Sequence, residues 1–186
     1  RVKDIRVEWI SSNQIAISTA PSAFVSNVLW VLNTETQKLL PALSQIYGFT
    51  MKWAPGGSKL VFSQTNSKGA NLALFTTNQT GTEVKNTNTA TLPEKCVFSA
   101  QDENIIFCAV PKSAPDIVWP DDYYKYLYSA QEQIWSLNLV TGKNDLLYEF
   151  KDSLSFDATD LTLSPQENYL VFLNKKDNQI YSLKIK

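Results

Sequence analysis

The chain of 186 residues contains no histidine. That absence removes imidazole general bases, serine–histidine and cysteine–histidine nucleophile pairs, and zinc sites built on histidine. There is no Gly-x-Ser-x-Gly elbow of the hydrolase type and no phosphate-cradling glycine loop, since Gly56-Gly57 sits between two apolar runs as an ordinary hairpin turn. Glycine is scarce at 6 residues and cysteine is limited to 2. The net charge of −1 leaves no basic field for nucleic acid or an anionic membrane. No apolar stretch approaches the roughly 18–20 residues of a membrane span, and we expect no leader peptide within these residues. Arg1 is not an initiator Met, so we expect sequence upstream of it. On these absences we expect a non-enzyme without cofactor or metal, and no nucleic-acid partner.

What is present repeats. Trp53-Ala-Pro-Gly-Gly-Ser-Lys-Leu-Val-Phe62 recurs as Leu163-Ser-Pro-Gln-Glu-Asn-Tyr-Leu-Val-Phe172 and as Phe98-Ser-Ala-Gln-Asp-Glu-Asn-Ile-Ile-Phe107, with a shorter version from Trp9 to Ile17. Trp9, Trp53 and Phe98 stand 44 and 45 residues apart, whereas Phe98 to Leu163 spans 65, leaving an insertion of about 20 residues in the third unit. Each unit carries three apolar runs and a weaker fourth, rich in Val, Ile, Phe, Trp and Tyr and broken by Gly, Pro, Asn, Asp and Ser. That is strand and hairpin patterning. Leu29-Trp-Val-Leu-Asn-Thr-Glu-Thr-Gln-Lys38 aligns without a gap on Ile134-Trp-Ser-Leu-Asn-Leu-Val-Thr-Gly-Lys143. Continuous apolar runs such as Ile105-Ile106-Phe107 and Leu170-Val-Phe-Leu173 imply sheets covered on both faces. Short antiparallel sheets of this kind, each sandwiched between neighbours, make a β-propeller.

The expected fold is therefore all-β: four four-stranded antiparallel blades at about 1–45, 46–91, 92–152 and 153–186, the last lacking its outer strand because the sequence ends after its third run. We read the chain as part of a larger ring, with a self-closed four-bladed ring as the alternative. The best helix candidate is a turn or two near Pro120–Tyr128. Trp9, Trp30, Trp53 and Trp135 occupy equivalent strand positions and are read as core.

The Trp-x-Pro-x-Gly-x-x-Leu-x-Phe pattern resembles the repeat of TolB-type propellers and of propellers from dipeptidyl-peptidase-type enzymes, over nearly the whole chain. Leu92-Pro-Glu-Lys-Cys-Val-Phe98, Cys108-Ala-Val-Pro111, Trp119-Pro-Asp-Asp-Tyr123 and Asn174-Lys-Lys-Asp177 resemble uncharacterised bacterial exported propeller proteins. Gly56-Gly57 departs from the usual Asp-Gly, and the first unit lacks Pro and Gly in its turn. The resemblance implies a blade architecture and an extracytoplasmic setting; it implies no activity.

Cys96 and Cys108 lie six residues either side of Asp102, which places them opposite each other across a hairpin. A disulfide and a pair of small buried thiols are both compatible with that pairing, and an exported context favours oxidation. The insertion, residues 111–131, gathers Trp119, Tyr123, Tyr124, Tyr126 and Tyr128 beside Asp121 and Asp122. Connections longer than about 12–15 residues tend to be functional or disordered, and this aromatic content argues against disorder. Two readings stand: Trp119, Asp121, Asp122, Tyr123, Tyr124 and Tyr126 recognise a protein or a glycan, or the aromatics fold back over the blade as a satellite core. The acidic pairs Asp121/Asp122 and Asp157/Asp160 are read as turn caps and solvated groups. The expected function is a non-catalytic extracytoplasmic binding or scaffold propeller. The alternatives are an accessory propeller of a peptidase-type enzyme and a structural subunit of a surface assembly.

Overall fold

The computed structural model describes residues 4–113, 115–151 and 155–185. Among these residues fifteen strands form four antiparallel sheets, each ordered as in sequence. Sheet one holds β1 (Ile5–Ser11), β2 (Gln14–Thr19), β3 (Asn27–Asn33) and β4 (Lys38–Ile46). Sheet two holds β5 (Met51–Trp53), β6 (Lys59–Gln64), β7 (Ala73–Asn78) and β8 (Lys85–Thr89). Sheet three holds β9 (Cys96–Phe98), β10 (Ile105–Pro111), β11 (Glu132–Asn138) and β12 (Asn144–Glu149). Sheet four has three strands, β13 (Ala158–Leu163), β14 (Tyr169–Asn174) and β15 (Gln179–Lys184).

The continuous apolar runs do what their composition requires. Leu60 and Phe62 of β6 pack with Ile10, Ala16 and Leu29 of sheet one. Val61, between them, points the other way and packs with Phe98, Ile106 and Leu137 of sheet three. Ile106 and Cys108 share that cluster, while Phe107 and Ala109 join Leu170 and Phe172 of sheet four and Phe156 just before it. Successive residues of a strand face opposite sides, so a run without polar breaks fills two interfaces at once. Three interfaces join the four sheets in series.

The turn at the start of each repeat is stabilised locally. Ser99 Oγ accepts the N–H groups of Gln101 and Asp102, and Ser164 Oγ accepts those of Asn168 and Tyr169. Glu167 of the fourth turn reaches sheet three, accepting from Ser99 Oγ, Ala100 N and Gln101 N. Turn-to-turn bonds of this sort hold the sheets in line at the end of the molecule opposite the insertion.

Cys96 and Cys108 are cross-strand partners in the β9–β10 register and form a disulfide, both fully buried. One expectation fails. Trp53 is buried and Trp30 and Trp135 are half-buried, but Trp9 is 64% exposed. Its side of β1, with Ile5 and Val7, faces away from sheet two, and nothing among the described residues covers it. The repeat gave Trp9 the same strand position as Trp53, but burial there depends on a sheet packing against that side. For Trp53 the neighbour is sheet one; for Trp9 there is none among the described residues.

Candidate functional site

Within these sheets the connection from second to third strand leaves at the same end as the link from each sheet to the next. The insertion belongs to that end, and it touches its counterparts in every other sheet. Lys112 N donates to Gln131 O (2.8 Å), closing its base. Trp119 N donates to Gly69 O (2.9 Å) in the sheet-two connection. Asp121 Oδ2 accepts from Ala23 N (2.8 Å) in the sheet-one connection. Lys175 Nζ, from the sheet-four turn, donates to Tyr123 O (3.0 Å). Asp122 Oδ2 accepts from Val118 N (2.8 Å), closing the approach to a single helical turn, α1 (Asp121–Tyr124). That turn falls at the predicted place, where Pro precedes two Asp residues.

The six residues singled out in the insertion are brought to one place but divide in role. Trp119 and Tyr123 are each 3% exposed and form a satellite core with Leu92, flanked by Leu72, Ile117 and Tyr128. Their rings stack at 5.8 Å, and Tyr128 meets Trp119 edge-on at 5.6 Å. Side chains so covered offer a ligand little surface. Asp121 and Asp122 spend their carboxylates on backbone N–H groups. Tyr124 remains partly open, its hydroxyl donating to Glu94 Oε1 (2.6 Å). Burial first, and then the charge of Glu94, push that hydroxyl far above the ordinary tyrosine range. Tyr126 is 78% exposed, and Lys175 Nζ lies 4.2 Å from its ring centre. Leu127 and, from the sheet-one connection, Phe24 and Val25 are also exposed apolar residues at this end. Two cavities of about 290 and 350 Å³ flank Tyr124 and share Glu94. Arg6, Glu8 and Phe49 line the first, Asp160, Lys175 and Tyr126 the second.

Beneath the insertion lies a group that sequence reasoning did not find. The segment between β8 and β9 forms a 3-10 turn (Pro93–Lys95), and the side chain of Lys95 is wholly buried. Its Nζ lies 2.6 Å from Glu132 Oε1 and 2.6 Å from Asp157 Oδ1, all three side chains without solvent exposure. Nζ also donates to Ala158 O (3.1 Å). Asp157 Oδ1 accepts from Tyr123 OH (3.2 Å) and Oδ2 from Ala130 N (3.1 Å). Glu132 Oε2 accepts from Ala158 N (2.7 Å). Burial alone would favour a neutral Lys95, but Glu132, Tyr123 and Asp157 hold it charged well beyond the ordinary lysine range. Burial raises the Glu132 carboxyl despite the pull of Lys95. Burial would raise the Asp157 carboxyl, but the charge and hydrogen bond of Lys95, with hydrogen bonds from the Ser129 side chain and the N–H of Ala130, bring it below its ordinary value. Asp157 is thus no solvated turn residue. The available signal was a charged residue inside an apolar run, Lys95 before Cys-Val-Phe98 and Glu132 heading Gln-Ile-Trp135.

Among the described residues no helix is long and apolar enough to cross a membrane. The sequence matches no protein-family profile and no curated protein significantly. The fold does have solved counterparts. It is similar to TolB from Acinetobacter baumannii, with TM-score 0.55, 12% identity, and 94% of this chain aligned to 41% of that one. It is similar to a chain of the nidogen/laminin complex, with TM-score 0.57, 12% identity, 93% of this chain and 56% of that one. It is also similar to the β-propeller domain of the Trilobed protease from Pyrococcus furiosus, with TM-score 0.59, 16% identity, 97% of this chain and 54% of that one. The chain spans about half the length of such counterparts. Four serially stacked antiparallel sheets and these matches establish the β-propeller fold, as the repeat predicted.

Proposed function

We propose that this chain is a non-catalytic binding propeller acting outside the cytoplasm, and that it holds a protein partner on the face carrying the insertion. The observation that carries this reading is the pairing of a rigid base with an exposed apolar rim. Trp119, Tyr123 and the buried ions fix the insertion, while Tyr124, Tyr126, Leu127, Phe24 and Val25 stand open at the same end. Partly exposed tyrosines on a preorganised support suit protein recognition, because little side-chain freedom is lost on binding. The nidogen/laminin structure is a complex of proteins, and its likeness to this chain supports a protein as the partner class. A buried disulfide supports an oxidising compartment. Likeness to the propeller domain of a protease favours the second reading, an accessory propeller serving a catalytic domain outside these residues.

Affinity capture with the full-length protein, read by mass spectrometry, tests the proposal. The same capture uses a Tyr126→Ala, Leu127→Ser double variant. A hot spot loses about 2 kcal/mol or more on truncation, so retention should fall at least about thirtyfold. A partner held equally by both forms moves the site off this face. Retention by a glycan column in place of any protein replaces the partner class, and steady substrate turnover by the chain alone overturns the non-catalytic reading.

A further inference from the structure

The buried ions below the insertion have the arrangement of a condensation reaction. We infer that Lys95 and Asp157 join covalently as an intramolecular amide, with Glu132 carrying the proton, so that sheets three and four are cross-linked through their side chains. Lys95 Nζ and Asp157 Oδ1 are 2.6 Å apart, and both side chains are sealed from water. Holding two reactants in such contact turns a bimolecular step into an effectively unimolecular one. Exclusion of water removes the competing nucleophile and disfavours the reverse hydrolysis.

The polar contacts assign the roles. Asp157 is the electrophile, because neutral donors engage both of its oxygens: Tyr123 OH at Oδ1 (3.2 Å) and Ala130 N at Oδ2 (3.1 Å). Donors so placed stabilise the charge that grows on oxygen as the carbonyl carbon becomes tetrahedral. Glu132 has a different setting. Its Oε2 accepts from Ala158 N, while Oε1 is paired with Lys95 at 2.6 Å and with no other group. It therefore reaches the amine with an oxygen free to take and return a proton. Its raised carboxyl suits that task. The ion pair is the resting state, and reaction begins when one Lys95 proton passes through Glu132 to the Asp157 carboxylate, leaving a neutral amine against a neutral carboxyl without any exchange with solvent.

The atoms balance without a co-reactant. Lys95 Nζ attacks Asp157 Cγ and the C–N bond forms. One Cγ–O bond breaks, and that oxygen leaves as water with two hydrogens from the original ammonium. Glu132 relays one of them and ends as it began. Nothing is oxidised or reduced. The product ties the start of β9 to the start of β13 across 62 residues of sequence, beneath the insertion that the proposed binding face requires.

Mass spectrometry of the full-length protein, denatured and with its disulfide reduced, decides the matter. The protein should be lighter than its sequence by one water. Proteolysis should yield a branched peptide containing both Lys95 and Asp157. Lys95→Arg and Glu132→Gln should restore the linear mass. A wild-type mass equal to that of the sequence overturns the inference, as does a lost water that maps elsewhere. Complete linkage in Glu132→Gln removes Glu132 from the reaction. The wild-type measurement stands even where a variant fails to fold.

Discussion

Replacing Trp119 by Ala should loosen the insertion far more than the sheets. Trp119 is almost completely buried, but its neighbours are few and local: Leu92, Tyr123, Tyr128, Leu72 and Ile117. Removing a buried Trp costs about 3–5 kcal/mol. In a central interface that loss would fall on global unfolding. Here the cluster lies outside the three interfaces that join the sheets, so it falls mainly on local opening of residues 111–131. At about 1.4 kcal/mol per tenfold, the N–H groups of Lys112, Tyr124 and Lys125, bonded to Gln131, Pro120 and Asp121, should exchange about a hundredfold to a few thousandfold faster. Ser63 N–H, bonded to Thr50 in sheet two, is the internal control and should change little. Hydrogen exchange read by mass spectrometry supplies both rates in one experiment. Uniform acceleration through all four sheets would refute the idea of a satellite core, and unchanged exchange in the insertion would deny Trp119 any part in fixing it.

Other outcomes follow from the same geometry. Replacing Cys96 and Cys108 together by Ala removes a cross-link spanning 12 residues and should lower stability by about 3 kcal/mol, read as a reduced denaturation midpoint. Gly81 and Gly142 both have φ of +73°, but a side-chain carbon at Gly81 would collide with Ala42 O while Gly142 faces open space. Gly142→Ala should therefore cost about 1–2 kcal/mol, and Gly81→Ala distinctly more; equal thermal shifts would deny the collision. The bare side of β1, with Ile5, Val7 and Trp9, should make the isolated chain self-associate, and Trp9→Glu should reduce this in light scattering. A monomer indifferent to Trp9→Glu would mean that this face attracts nothing.

The periodicity of Trp53, Phe98 and Leu163 and the unbroken runs around Val61 and Phe107 were enough to specify strands, turns and double-sided burial. Those properties are local, set by alternation along a strand and by turn chemistry. Pairing across the hairpin was legible too, since a short turn fixes register and so places Cys96 opposite Cys108. Three features waited for the tertiary structure. Trp9 matches Trp53 in the repeat, yet lies exposed because burial depends on a neighbouring sheet rather than on its own strand. The aromatics of the insertion looked alike in sequence, but the path from Gly69 to Lys175 turned Trp119 and Tyr123 inward and left Tyr126 outside. Lys95, Glu132 and Asp157 come from three separate segments and meet only when sheets three and four stack. No spacing rule links them, because a contact between distant segments is fixed by packing in three dimensions, whereas a strand's alternation is fixed by its own backbone.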